Sequence, residues 1–147
     1  MGLLDRGEAA ETRVALFVDG PNLLRDEFDV DLDDVRAVAA GYGRPALTRV
    51  YLDEHAGPSL VRAAESRGFE VVTTSGDVDV RLAVDLTRVA VTGGADAAVV
   101  ASRDADFKPA VEAANAAGLL TVAGAPGEHG RSDALRNAAA ESVTLGE

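Results

Sequence analysis

Apolar residues along this chain fall in short runs separated by longer stretches with helical spacing. Val14-Ala15-Leu16-Phe17-Val18 is apolar at every position and stops at Asp19-Gly20-Pro21-Asn22. That pattern predicts a strand buried on both faces, as in a parallel sheet, followed by a turn or helix start. From Asp31 to Tyr42, Leu32, Val35, Val38 and Ala39 recur at helical spacing before Gly41 and Gly43, so the segment predicts an amphipathic helix with a glycine end. Leu47 to Leu52 reads as a second strand with Asp53 behind it, and a helix from about Ser59 to Arg67 ends at Gly68.

The same alternation continues. Phe69 to Thr74 predicts a third strand, while Val78 to Val91, with Val78, Leu82, Leu86 and Val89 on one side, is long enough to be a helix. Ala97 to Ala101 predicts a fourth strand ending at Ser102-Arg103-Asp104-Ala105-Asp106, and Phe107 to Ala117 a helix stopped by Gly118. Leu119 to Ala123 predicts a fifth strand, Ser132 to Ala140 a short last helix, and Ser142 to Leu145 a closing strand. Strands alternating with helices imply an α/β sandwich around a mostly parallel sheet, joined by right-handed crossovers.

The length of 147 residues suits one domain, enough to bury about two thirds of the unfolded surface. Met1 to Thr12, with Asp5, Arg6, Glu8 and Glu11, lacks the apolar run of a signal peptide and reads as a leader ahead of a single domain over 13–147. No window reaches the roughly 18 apolar residues a bilayer span needs. A cytoplasmic protein that does not enter the membrane is the expectation.

Charge complicates the reading. The chain has 14 Lys and Arg against 25 Asp and Glu, a formal net charge of −11, and Lys108 is its one lysine. The chain has no Ile and no Gln, and its Arg, Ala and Val bias matches a salt-adapted, halophilic surface on which carboxylates hold water when ions screen longer-range fields. With no cysteine, disulfide scaffolds, thiolate catalysis, zinc fingers and iron–sulfur clusters are excluded. His55 and His129 lack paired ligand spacing and read as surface residues. GxGxxG, GxxxxGK[ST] and GxSxG motifs are missing, which removes dinucleotide, P-loop and serine-hydrolase readings.

In open parallel sheets, ligands bind beyond the carboxyl ends of the strands, where strand order reverses. Asp19 directly follows the first predicted strand, and Asp104 and Asp106 follow the fourth, so these carboxylates meet if the two strands are neighbours. Asp79 and Asp85 lie on the long preceding helix, Asp85 on its apolar side. Converging carboxylates raise one another's pKa, bind Arg, or hold a hard divalent cation, and with this many acids the cation is favoured. Each acid also has a plainer role. Asp79 and Asp104 suit helix N-caps, Asp106 gains from the helix dipole, Asp85 can pair with Arg81 or Arg88, and Asn22 can hold a turn.

Three ordered segments carry a family resemblance: Leu16-Phe17-Val18-Asp19-Gly20-Pro21-Asn22-Leu23, Val78-Asp79-Val80-Arg81-Leu82-Ala83-Val84-Asp85, and Ser102-Arg103-Asp104-Ala105-Asp106-Phe107. Over roughly residues 13–145 the chain resembles the NYN domain family of the LabA-like type, within the PIN-like nuclease superfamily. The resemblance implies a three-layer α/β/α fold and a Mg²⁺- or Mn²⁺-dependent ribonuclease that hydrolyses RNA phosphodiesters. It makes Asp19, Asp79, Asp104 and Asp106 the catalytic, metal-binding acids, with Asp85 a further acid near the metal. Asn22, Ser102 and Arg103 would support the site or contact substrate. Arg103 and Ala105 stand where the family usually has Gly and Ser, and Ser75-Gly76-Asp77 replaces the stretch that commonly carries a Lys. Arg25, Arg81 and Arg103 are expected to rim the site and admit RNA to an acidic protein. The competing reading is a non-catalytic RNA- or protein-binding module with a vestigial acidic site, and a homodimer is left open.

Overall fold

The structure, a computed structural model, describes residues 11–24, 31–126 and 133–145. The leader before residue 11, together with Arg25 and His129, lies outside the described residues.

The first apolar run is strand β1 (Arg13–Asp19), followed at once by the helical turn α1 (Gly20–Leu23). The helix α2 (Leu32–Ala40) starts at a capping box. There the Asp31 carboxylate accepts from the Asp34 N–H, and Asp34 returns the bond to the Asp31 N–H, each at 2.9 Å. Then come β2 (Arg44–Asp53), α3 (Pro58–Ser66), β3 (Glu70–Thr74), α4 (Val78–Thr92) and β4 (Ala97–Ala101). A 3₁₀ turn over Ala105–Phe107 leads into α5 (Lys108–Ala116), and β5 (Leu120–Pro126), α6 (Asp133–Ala138) and β6 (Glu141–Leu145) are the last described elements.

All six strands form one sheet in the order β3-β2-β1-β4-β5-β6, and every pairing is parallel. This is the expected α/β architecture, a three-layer α/β/α sandwich. Chain order reverses between β1 and β4, which places the switch point at the centre of the sheet. Alternate residues of β1 serve opposite faces. Ala15 and Phe17 pack with Leu82 and Leu86 of α4 and Val111 of α5, whereas Val14, Leu16 and Val18 pack with Val35 of α2 and Ala64 of α3. Both faces are covered, which explains the unbroken apolar runs.

Several boundaries differ from the sequence expectation, among them the end of β5, which lies at Pro126 and not Ala123. Strand β2 begins at Arg44, not Leu47, and carries Pro45 within it. The pairing to β1 skips Ala46, with Val14 opposite Pro45 and Ala15 opposite Leu47, and β3 pairs only with residues 49–53. Such a bulge beside an open edge tolerates a residue with no N–H. In place of a helix starting at Phe107, the 3₁₀ turn comes first, and it buries the Phe107 ring completely.

Candidate metal centre

The pleat determines which way the acids point. Phe17 faces α4 and Val18 faces α2, so Asp19, next in alternation, faces α4 again. Val18 pairs with Ala101, and one step further the Ser102 hydroxyl donates to Asp19 Oδ2 at 3.0 Å. Both groups are buried, Asp19 at 4% exposure and Ser102 at 1%. The Ser102 oxygen also accepts from the Asp104 N–H at 3.0 Å, and Asp104 Oδ1 accepts from the Asp106 N–H at 2.9 Å. A continuous chain of bonds therefore runs from the end of β1 into the 3₁₀ turn.

Opposite this chain stands the start of α4. Its N-cap is Asp77, whose side chain makes no capping bond, so the capping role open to Asp79 in the sequence is not taken. Asp79 sits in the first helical turn, and its Oδ1 accepts from the Val80 N–H at 3.0 Å. One carboxylate oxygen from each of Asp79, Asp104 and Asp106 lies within 4.8 Å of the other two. Asp104 combines both readings open to it: it caps the 3₁₀ turn and also belongs to the acidic group.

Asp19, Pro21, Asn22, Asp53, Gly76, Asp77, Val78, Asp79 and Asp104 line an open cleft of about 300 Å³. Five of these are carboxylates and none is Lys or Arg, a negative concavity that concentrates cations. Burial pushes the Asp19 carboxyl up to about 6 against the opposing pull of the Ser102 hydroxyl and the Asn22 N–H, and the Asp104 and Asp79 charges add to the rise. Asp53 and Asp77 were not singled out from the sequence. Asp53 ends β2 beside β1, so the rule that drew attention to Asp19 also applies to it.

Residues 13–146 match the NYN domain family. The chain belongs to that family. The family generally comprises nucleases, and a group of three aspartates is compatible with a divalent metal. This NYN domain is 42% identical over 143 residues, 97% of its length, to an uncharacterized protein of Methanocaldococcus jannaschii, of which it spans 59%. In fold it is similar to a crystal structure of a protein of unknown function from Vibrio parahaemolyticus, with a TM-score of 0.78, 20% identity, and coverage of 90% of this chain and 92% of that one.

The remaining expected site residues of the NYN domain are placed differently from the acidic group. Asn22 Oδ1 accepts from the Arg103 N–H at 3.3 Å, and the Arg103 Nε donates to the Asn22 carbonyl at 3.4 Å. These two residues join the β1 and β4 loops; Asn22 lines the cleft, but neither Arg103 nor Arg81 is among its lining residues, so the expected arginine rim is not formed there by the described residues. Asp85 is outside the group of three and outside the cleft lining. It is buried under α4, where it accepts from Tyr51, Arg49 and Arg81, so the pairing with Arg81 four residues back is present and Arg81 is turned toward it. Burial, with Asp85 as acceptor, pushes the Tyr51 hydroxyl well above its usual range and keeps it a donor. Another cavity, about 60 Å³ between β1, β2 and α2, is lined by Val14, Leu16, Arg36 and Ala39 among others and lies at the far end of the strands. No described helix is long and apolar enough to cross a membrane.

Proposed function

We propose that this NYN domain is a metal-dependent ribonuclease of the LabA-like branch of the PIN-like superfamily, cutting RNA phosphodiesters at the cleft between β1, β4 and α4. The observation that carries the proposal is the approach of Asp79, Asp104 and Asp106 to within 4.8 Å beside the buried Asp19. The donor set fits Mg²⁺ or Mn²⁺, since carboxylate oxygens suit hard divalent ions, the chain has no cysteine, and the acidic group among the described residues includes no histidine. When bound, such an ion lowers the pKa of a water and orients the phosphodiester for in-line attack.

The protein's own groups supply placement. Ser102 fixes Asp19 and the Asp104 backbone together, and the Asp104 turn presents Asp106 from an exposed position. Asn22 and Arg103 hold the two loops in register. The test is cleavage of labelled single-stranded RNA with Mn²⁺. Asp79→Asn, Asp104→Asn and Asp19→Asn should each lower the rate by about 100-fold or more, roughly 3 kcal/mol of barrier. Equal rates in all three variants, or RNA binding without turnover, would favour a non-catalytic module.

A further inference from the structure

Two apolar stripes run along α4. Val78, Leu82 and Leu86 are buried beneath the helix, whereas Val80, Val84 and Val91 on its outer side are 58%, 46% and 71% exposed. Hydrophobic burial is non-directional, so apolar residues on both sides do not by themselves choose which side meets the sheet. Asp85 breaks the tie. It is 3% exposed, and its carboxylate accepts from Tyr51 Oη at 2.6 Å, Arg49 Nη1 at 3.3 Å and Arg81 Nε at 3.3 Å. The Tyr51 ring stacks on Phe17 of β1 at 6.5 Å, and Arg49 also donates to Glu70 of β3 at 3.0 Å. The anchor thus joins α4 to three adjacent strands. With α4 turned over, the buried Tyr51 hydroxyl would face valine and lose its acceptor, a penalised outcome.

We infer that Asp85 and Tyr51 are positioning residues for Asp79: their buried contact sets the rotation and axial register of α4 so that Asp79 meets Asp104 and Asp106. Asp79 lies six residues before Asp85, about 9 Å along the axis, and a slip of one turn would displace it by about 5.4 Å. That shift exceeds the 4.8 Å spacing of the acidic group. The inference rests on reading that group as a cation site.

The test uses the full chain with Tyr51→Phe, which keeps the ring on Phe17, and Asp85→Asn, which keeps an oxygen acceptor. Amide exchange at Leu82 to Asp85 is followed without metal, and Mn²⁺ alone is titrated calorimetrically well below the melting transition. Tyr51→Phe should speed exchange in that turn and weaken Mn²⁺ binding about tenfold, with Asp85→Asn changing both in the same direction. Unchanged Mn²⁺ affinity in both variants overturns the inference, because loss of a merely structural contact lowers melting without altering the affinity of the folded protein. If the unmodified chain binds no Mn²⁺, the cation reading fails on its own. Exchange then decides the anchor, with faster exchange supporting it and unchanged exchange overturning it.

Discussion

Ser102, just beyond β4, donates its hydroxyl to Asp19, the last residue of β1, over 3.0 Å between two buried side chains. The same oxygen accepts from Asp104, so one small side chain serves both strand ends. Ser102→Ala leaves a buried carboxylate and a backbone N–H short of a partner, and should cost about 1–3 kcal/mol of stability. Urea unfolding at pH 7.5 checks this, and a loss under 0.5 kcal/mol, about the noise of a surface change, would count against it.

Acidity should reveal Asp19 directly in metal-free protein. Its folded value, about 6, lies above the ordinary 3.8, so the folded state holds the proton more tightly than the unfolded one. The resulting stabilisation is complete below about pH 4 and is lost as the pH rises through about 6, on the order of 2–3 kcal/mol in all. Asp19→Asn should remove this slope and be the more stable protein at pH 7. Parallel stability curves for the two proteins between pH 4 and 7.5 would contradict the assignment.

A methyl group at Gly20 has no room. A Cβ there would come within 2.5 Å of the Tyr51 carbonyl oxygen and of Leu52 Cδ2, and the carbonyl, being backbone, cannot swing aside. Gly20→Ala should therefore destabilise by about 1–3 kcal/mol and push the end of β1 away from β2. Thermal melting gives the first quantity, and a reduced Mn²⁺ affinity in still-folded protein gives the second.

Salt should stabilise this chain. A net charge of −11 repels itself in the compact state, and ions at 1 M shorten the reach of that repulsion to about 3 Å. The melting temperature should rise between 0.1 and 2 M KCl, an expectation that equal melting at both salt levels would remove.

Much of this fold is legible in the sequence because its signals are local. The apolar run ending at Asp19 and the five-residue run Ala97 to Ala101 mark buried strands with no long-range information. Placing acids at strand ends led to Asp19, Asp104 and Asp106 because parallel topology makes those ends converge, whereas Asp79, on the helix, was reached through the family motif. Asp85 was harder to assign. Its neighbours in sequence, Arg81 and Arg88, are visible, but Tyr51 and Arg49 approach it only through the packing of α4 on β2, which no local spacing encodes. Pro45 in β2 was hidden for a similar reason, since its tolerance depends on how far β3 extends. Asp53 and Asp77 were passed over because Asp53 at the end of β2 and Asp77 at the N-cap of α4 each have an ordinary structural place, and only the assembled cleft brings them beside Asp19 and Asp79.

The position of β1 has a dynamic consequence. A central strand paired on both sides and buried along its length opens only when the whole molecule does, whereas exposed short turns open on their own. Asp19 is carried by the first kind of element and Asp106 by the second. The strand side and the turn side of the acidic site therefore exchange with solvent on separate schedules, one side holding still while the other can adjust around whatever enters.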